Sequence, residues 1–243
     1  MARSLVIVPT YNEAENIEKL LRNIFAQQRK FEVLVVDDNS PDGTAAIIKE
    51  LQKELSGSLH LLERKKKAGL GTAYIAGFKW ALQHDYTYIF EMDADFSHSP
   101  NDLTRLYNAC AKGGAELAIG SRYKTGVNVV NWPMGRVLLS YCASKYVRWI
   151  TGMDISDTTA GFVCYHRNVL KTINLDKIKF IGYAFQIEMK FKAHLFGFAI
   201  KEVPVIFVDR TKGTSKMSKG IISEAVFGVI VMKFRSLFKN YLA

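Results

Sequence analysis

Two short stretches decide the fold: SLVIVPTYNE at residues 4–13 and FEVLVVDDNS at residues 31–40. Each is a continuous apolar run that ends in a polar cluster, at residues 9–13 in the first and 37–40 in the second. Short apolar runs without alternation are typical of strands buried on both faces, as in parallel sheets. Between them, apolar residues recur at helical spacing from Ile17 to Phe25, and this helix is expected to begin after Asn12.

The same alternation continues along the chain. Further strands are predicted at residues 59–62, 86–92 and 117–120, and further helices from 44 and at 71–82 and 101–112. This order predicts an α/β fold, a mostly parallel central sheet flanked by helices. We interpret residues 1–218 as one domain and residues 219–243 as a C-terminal amphipathic helix.

The composition excludes several classes of protein. The chain has 243 residues, of which 49% are hydrophobic and 23% charged, and this excludes disordered, collagen-like and disulfide-stapled chains. Its three cysteines form no CxxC pair and are interpreted as reduced thiols of a cytosolic protein. Neither a secretory signal nor a run of roughly 18 apolar residues is visible, so the sequence predicts no spanning helix.

The net charge of +10 is uneven along the chain. Residues 1–63 carry −3, from 7 basic and 10 acidic residues, and the remainder carries +13. This division is compatible with one site for a metal and another for phosphate, but charge alone favours a solvated surface that happens to be basic. Nucleic-acid binding is a remote alternative, because no helix-turn-helix, zinc or RNP pattern is present.

Polar clusters follow four of the predicted strands. Because ligands bind at the carboxyl ends of such strands, these clusters predict one site at one edge of the sheet. Asp93 and Asp95 can share a hard cation such as Mg²⁺ or Mn²⁺, and Asp37 or Asp38 can accept from a ribose hydroxyl or a base. The clusters lie at residues 9–13, 37–40, 93–95 and 121–122.

The ordered set of motifs resembles family 2 glycosyltransferases of the GT-A (nucleotide-diphospho-sugar transferase) fold. More closely, it is similar to the dolichol-phosphate (polyprenol-phosphate) mannosyltransferases, and the similarity runs from about Leu5 to about Ser218. The motifs are PTYNE at 9–13, VDDxSxDGT at 36–44, MDADxSH at 92–98, GSRY at 120–123, RxxxS at 136–140, DxTxGFxCY at 157–165, GYxFQxEM at 182–189 and RxxGxSK at 210–216.

The resemblance implies three groups of site residues. The nucleotide sugar would be bound by Pro9, Tyr11, Glu13, Asp37, Asp38, Asp93, Ala94, Asp95, Arg210 and Lys216. The metal, Mg²⁺ or Mn²⁺, would be held by Asp93 and Asp95. The acceptor phosphate would be bound by Arg122, Arg136 and Ser140.

The resemblance further implies catalytic roles for Asp95, Arg122 and Arg136. Gln186 and Glu188 would contact the sugar, with a polar stripe on a helix as the alternative. Asp157 would either position a loop or act near the acceptor, and we favour the structural role. Relatives often have Gln where this chain has Ser97, so a water is expected in that part of the metal shell.

The activity implied is inverting transfer of mannose from GDP-mannose to a polyprenyl (dolichyl) phosphate. The nucleophile is an already ionised phosphate oxygen, which agrees with the lack of an obvious His/carboxylate dyad in the sequence. Transfer of glucose or another sugar to the same lipid stays open as an alternative.

Two amphipathic helices are predicted at residues 133–150 and 221–242, and they are the candidates for contact with a membrane. Their apolar faces either pack on the domain or lie in the membrane interface. With a lipid-phosphate substrate implied, peripheral binding at the cytoplasmic face is expected, directly or through a membrane-anchoring partner.

Overall fold

The computed structural model describes residues 2–182, 184–209, 219–238 and 241. Its main sheet has seven strands in the order β3-β2-β1-β4-β7-β5-β8, and β6 and β9 form a separate parallel pair. The strands are β1 (Ser4–Thr10), β2 (Glu32–Asp37), β3 (Leu59–Glu63), β4 (Tyr88–Glu91), β5 (Leu117–Ser121), β6 (Val129–Val130), β7 (Val163–His166), β8 (Ile200–Pro204) and β9 (Phe207–Val208).

Helices cover both faces of the sheet. They are α1 (Ile17–Phe25), α2 (Thr44–Glu54), α3 (Leu70–Gln83), α4 (Leu103–Ala111), α5 (Met134–Thr151), α6 (Arg167–Thr172), α7 (Ala184–Leu195) and α8 (Lys219–Ser236). Leu5 and Ile7 of β1 point into one core and Val6 and Val8 into the other. All four side chains are fully buried, as expected for a strand covered on both faces.

One strand of the main sheet is antiparallel. β7 lies between β4 and β5 and runs against both, whereas the other paired strands are parallel. An antiparallel strand begins at the edge where its parallel neighbours end. The segment 157–162, which leads into β7, is therefore brought to the carboxyl edge. The predicted mostly parallel α/β sheet is confirmed.

The first helix begins later than predicted. α1 starts at Ile17 with Asn16 at its N-cap, whereas Asn12 has a positive φ of 59°. The carbonyl of Glu13 accepts from the backbone N–H groups of Asn16 and Ile17. Residues 11–16 thus form a loop over the sheet edge, and the prediction of a helix start after Asn12 is wrong.

α5 and α8 pack against each other at one side of the domain. The Tyr146 hydroxyl donates to the Val226 carbonyl at 2.9 Å, and Val229 and Met232 of α8 are buried. Large apolar side chains nevertheless remain exposed on both helices, among them Trp149, Phe227 and Phe234. None of the helices in the described part of the chain combines the length and hydropathy needed to cross a membrane.

A matched pair of glycines tests how tightly α3 packs on the sheet. A Cβ on Gly77 would lie 2.7 Å from Ile7 Cγ2, whereas a Cβ on Gly135 of α5 would meet nothing within 4 Å. We expect Gly77→Ala to lower the free energy of unfolding by about 1–2 kcal/mol, because overpacking outweighs the gain in helix propensity. Gly135→Ala should leave stability unchanged or slightly raised, as measured by urea unfolding. Equal stability of the two variants would contradict the tight packing.

Candidate active site

The loops after β1 and β2 are tied together by one buried carboxylate. Asp37 Oδ1 accepts from the Thr10 hydroxyl at 2.7 Å and from the Ser40 hydroxyl at 2.6 Å. Asp37 Oδ2 accepts from the Ser40 N–H at 2.9 Å. Asp37 is 1% exposed, so it fixes the two loops from beneath and lies beside the predicted nucleotide pocket.

The loop 11–14 is held by the motif that precedes α2. The backbone N–H of Asn12 donates to the Ser40 hydroxyl, and that of Glu13 to Thr44 Oγ1, both at 3.0 Å. These bonds place Tyr11 and Glu13 at the carboxyl edge of the sheet, next to the end of β2. The two motifs that carry five of the ten predicted nucleotide-sugar-binding residues therefore form one structural unit.

Asp38 directly follows β2, and two cationic side chains, Arg64 and Lys67, lie near Asp38 and Tyr11. Asp38 Oδ1 lies 3.3 Å from an Arg64 guanidinium nitrogen, and burial raises the pKa of Asp38 while Arg64 opposes that rise. The Lys67 ammonium lies 4.3 Å from the centre of the Tyr11 ring. Arg64 and Lys67 thus lie beside the candidate nucleotide pocket, although the resemblance assigned them no role. Their place in a basic run before two glycines was the available signal.

Asp93, Ala94 and Asp95 lie in a tight turn after β4. Asp93 Oδ1 accepts from the Tyr74 hydroxyl at 3.3 Å, and Asp95 Oδ1 accepts from the Ser97 N–H at 3.1 Å. The side chain of Asp93 is 34% exposed, so its carboxylate reaches the surface of the sheet edge.

This turn fits a hard divalent cation. Mg²⁺ and Mn²⁺ prefer carboxylate oxygens and are commonly held by one or two carboxylates together with substrate phosphates. Within the described residues, no group of three or more His, Cys, Asp or Glu side chains is placed to hold a metal. A metal site made of two carboxylates and completed by the oxygens of a bound diphosphate would fit both the ligand preference of these ions and the residues present.

His98 orients the turn that contains Asp93 and Asp95. Its Nδ1 accepts from the Asp93 N–H at 3.1 Å, and its ring stacks on Phe162. Its Nε2 lies 4.0 Å from Asp93 Oδ2. Because Nδ1 is occupied by the turn's own backbone, His98 acts on the position of Asp93.

A buried polar network supports the turn from below. The carboxylate of Glu91 accepts from Gln186 Nε2 at 2.7 Å and from the Tyr165 hydroxyl at 3.3 Å. The Lys190 ammonium donates to the Ala160 carbonyl at 2.6 Å and to Gln186. Burial raises the pKa of Glu91 and lowers that of Lys190, and each group's charge opposes the shift of the other.

The two predicted sugar contacts lie on opposite sides of α7. Gln186 points to Glu91 beneath the turn, whereas Glu188 accepts from the backbone N–H groups of Lys179 and Phe180. Residues two apart in a helix differ by about 200° in direction, so one sugar cannot face both. We therefore keep Gln186 as the candidate sugar contact and assign Glu188 to the opposite side.

Arg122, at the end of β5, is locked in a buried ion pair. Its guanidinium donates to both oxygens of Asp157, at 2.7 and 2.6 Å, and also to the Thr159 hydroxyl. Burial acts to raise the pKa of Asp157, but the charge and hydrogen bonds of Arg122 outweigh it and hold that pKa below its usual value. Asp157 thus pairs with Arg122, a contact that fits the structural interpretation of Asp157.

Aromatic rings link Arg122 to Arg136 and to the turn at residues 93–95. The guanidinium carbons of Arg122 and Arg136 lie 5.4 and 4.0 Å from the centre of the Trp132 ring. Arg122 also lies 5.6 Å from the Phe207 ring, whose centre is 5.6 Å from that of the His98 ring. The structure therefore groups the predicted acceptor and metal-binding residues around a shared set of rings.

The remaining predicted residues complete this description. Arg136 Nη1 donates to both oxygens of Asp209 at 2.9 Å, and Ser140 lies beside Tyr123. Pro9 belongs to β1, and Ala94 is buried between the two carboxylates of the turn. Arg210 and Lys216 lie outside the described residues.

Comparison with known proteins decides the family. The family model for glycosyl transferase family 2 matches residues 5–173. The chain belongs to this family. It is 47% identical over 227 residues to the polyprenol monophosphomannose synthase of Mycolicibacterium smegmatis, covering 93% of this chain and 85% of that protein. It is 45% identical to the undecaprenyl-phosphate mannosyltransferase of Micrococcus luteus, covering 93% and 92%.

Solved structures confirm the GT-A fold of this glycosyltransferase. Glucosyl-3-phosphoglycerate synthase from Mycobacterium tuberculosis, solved with Mn²⁺ and UDP, superposes with a TM-score of 0.66 at 17% identity, covering 97% of this chain and 79% of the other. A mannosyltransferase from Pyrobaculum calidifontis, solved with GDP-Man and Mn²⁺, gives a TM-score of 0.61 at 23% identity, covering 97% and 64%.

Proposed function

We propose that this glycosyltransferase moves mannose from GDP-mannose to a polyprenyl phosphate, with inversion at the sugar. The observation that carries the proposal is the grouping of Arg122 and Arg136 around Trp132, joined through Phe207 and His98 to the Asp93–Asp95 turn. A donor diphosphate at the turn and an acceptor phosphate at the arginines would thus lie on neighbouring parts of one edge. The names of the two sequence relatives support the same substrates.

The leaving group needs charge neutralisation. Asp93 and Asp95 would hold Mg²⁺ or Mn²⁺, and that ion would stabilise the negative charge that develops on the diphosphate. Asp38, Tyr11 and Glu13 would bind the nucleoside from the loops tied by Asp37. Gln186, fixed by Glu91 and Lys190, would meet the sugar from below the turn.

The acceptor needs orientation more than activation. A phosphate monoester is ionised near neutral pH, so its oxygen can attack without a general base. Arg122 and Arg136 present planar donor groups suited to phosphate oxygens, and their ion pairs with Asp157 and Asp209 fix their directions. In-line attack on the anomeric carbon, opposite the diphosphate, produces inversion.

The acceptor is a lipid, so the chain must reach a membrane surface. We assign this contact to the exposed apolar side chains of α5 and α8, such as Trp149 and Phe234. The described cysteines are all free, which agrees with binding at the cytoplasmic face.

A transfer assay tests the proposal directly. Radiolabelled GDP-mannose, UDP-glucose and other donors would each be incubated with polyprenyl phosphate and a divalent metal, and the lipid product would be measured. We expect product from GDP-mannose. Product from a different donor alone would assign the chain to another sugar, and no lipid product from any donor would contradict the proposed acceptor.

Arg136→Gln should separate acceptor binding from donor binding. We expect the KM for polyprenyl phosphate to rise about 10- to 100-fold, on the scale of charged hydrogen bonds, with the Kd for GDP-mannose unchanged. The control is Arg105→Gln, which changes an exposed arginine of α4 paired with Asp102. Equal losses in donor and acceptor binding would contradict the assignment of Arg136.

A further inference from the structure

A cavity of about 420 Å³ lies between α7 and α8, on the side of α7 that carries Glu188. Its described lining comes from α7, from α8 and from the residues Lys177, Lys179, Phe180, Phe238 and Tyr241. Its volume is in the range of small-ligand sites. The proposed function uses none of its cations, and Glu188 is the one lining residue that the sequence had suggested for sugar binding.

The charge of the cavity is strongly positive. Lys177, Lys179, Lys192 and Arg235 line it, against the single carboxylate of Glu188. That carboxylate already accepts from the backbone N–H groups of Lys179 and Phe180. The described lining thus carries four cations against one carboxylate, and an anion is the ligand that complements this excess of positive charge.

Lys192 is the most informative of these cations. It is 1% exposed, and its ammonium lies 3.5 Å from the Tyr241 carbonyl and 5.0 Å from the centre of the Tyr241 ring. Burial lowers the pKa of Lys192, Glu188 raises it, and the charges of Lys177 and Lys179 lower it further. These lysines are close enough to repel one another, and a bound anion would relieve that repulsion.

The other wall of the cavity is apolar and reaches the exposed side of α8. Val231 and Phe238 line the cavity and are 44% and 58% exposed, and Phe234 and Leu237 extend the same apolar surface. A ligand that fits both walls has a compact anionic end and an apolar body. This combination describes a membrane phospholipid.

We propose that this cavity binds the headgroup of an anionic phospholipid, with the phosphate at the four cations and the acyl chains along α8. The site is additional to the acceptor site at Arg122 and Arg136. It rests on the proposed function only in that a lipid-phosphate acceptor brings the chain to a membrane, and it would hold the enzyme there by a specific contact.

Methyl NMR on the full chain tests occupancy of the cavity. Met232 lines the cavity and is 1% exposed, and Met92, fully buried before the turn at residues 93–95, provides the reference signal. Monomeric dihexanoyl-phosphatidylglycerol should shift the Met232 methyl signal saturably and leave Met92 unchanged. Dihexanoyl-phosphatidylcholine should have little effect. Absence of a shift, or equal shifts from both lipids, would overturn the proposal.

Further probes separate the sources of the anion. Glycerol 3-phosphate, inorganic phosphate and a glutamate-rich peptide would be titrated in the same way. If a soluble phosphate shifts the Met232 signal with the same affinity as the lipid, the cavity is a site for free phosphate. If the peptide shifts that signal, the cavity binds an acidic protein partner. Either result would overturn the lipid assignment.

Vesicle binding tests the cations. Lys179→Gln/Arg235→Gln removes two cavity cations, and the control Lys30→Gln/Lys112→Gln removes two exposed lysines elsewhere. The first variant should lose about thirtyfold in partition to vesicles containing phosphatidylglycerol, since each cation near an anionic surface contributes about a factor of five. The control should lose far less. Equal losses would overturn the proposal, and neither measurement requires donor or acceptor, so a failure here leaves the transferase assignment standing.

Discussion

Asp95→Asn should lower the rate of mannosyl transfer about a thousandfold, the loss expected when a preorganised electrostatic group is removed from the reacting charge. Asn keeps the size of the side chain and an oxygen that can accept from the Ser97 N–H, as Asp95 does at 3.1 Å. It lacks the negative charge that a divalent cation requires. Folding should therefore survive, whereas metal-dependent binding of GDP should be lost in titration calorimetry.

The control for Asp95→Asn is Asp85→Asn. Asp85 lies after α3 with a side chain that is 98% exposed, and its nearest cation, Arg167, is 3.8 Å away. This variant makes the same chemical change far from the sheet edge and should keep full activity. Full activity of the unaltered chain in EDTA, or unchanged metal-dependent GDP binding by Asp95→Asn, would contradict the metal role.

The strands and the site edge could be predicted because their signals are local. β1 is predicted at its observed bounds, and β2, β3 and β5 within one residue at either end, since each is a short, mainly apolar run. The polar clusters directly follow β1, β2, β4 and β5, so their place at one edge follows from parallel topology. The structure brings these clusters together in the predicted way.

The partners of the site residues could not be predicted because they are distant in sequence. Arg122 and Asp157 are 35 positions apart, and they meet because β7 is antiparallel. Periodicity carries no information on the direction of a strand. Likewise, the contact between Gln186 and Glu91 spans 95 positions and joins a helix to a strand.

α7 shows a second limit of pattern reasoning. Its residues 184–193 are all buried, including Gln186, Glu188, Lys190 and Lys192. Polar residues at this density normally indicate a solvated face, which is why a polar stripe was the alternative interpretation. Here the sheet, the segment 179–180 and α8 cover the helix on different sides, and each buried charge is met by a carbonyl, an N–H group or an opposite charge.

Arg122→Met should cause the largest loss of stability of the variants considered. It leaves the Asp157 carboxylate, which is fully buried, without its bidentate partner. Breaking a buried ion pair in this way costs about 3–5 kcal/mol, which corresponds to a fall in Tm of about 10 °C or more for a domain of this size. Use of the lipid phosphate should be lost as well, because a donor to the acceptor is removed. Unchanged Tm would contradict the ion pair.

The pH dependence of stability distinguishes the loss of the Arg122–Asp157 ion pair from general damage to the core. In the unaltered chain the pKa of Asp157 is lowered, so its contribution to stability is present above the pKa of the unfolded carboxyl and is lost as pH falls through the folded pKa. In Arg122→Met burial acts unopposed by Arg122, and the Asp157 pKa should rise. The stability gap between the two proteins, measured by urea unfolding, should therefore narrow from about pH 8 to about pH 5.

The double variant Arg122→Met/Asp157→Leu separates stability from function. Apolar side chains of similar volume can replace a buried ion pair at little cost, so most of the lost stability should return. Lipid-phosphate transfer should not return, because the guanidinium that we assign to the acceptor is still missing. Recovery of transfer together with stability would mean that Arg122 acts only through the fold. Recovery of stability alone would place Arg122 in contact with the acceptor, with Asp157 as the residue that positions it.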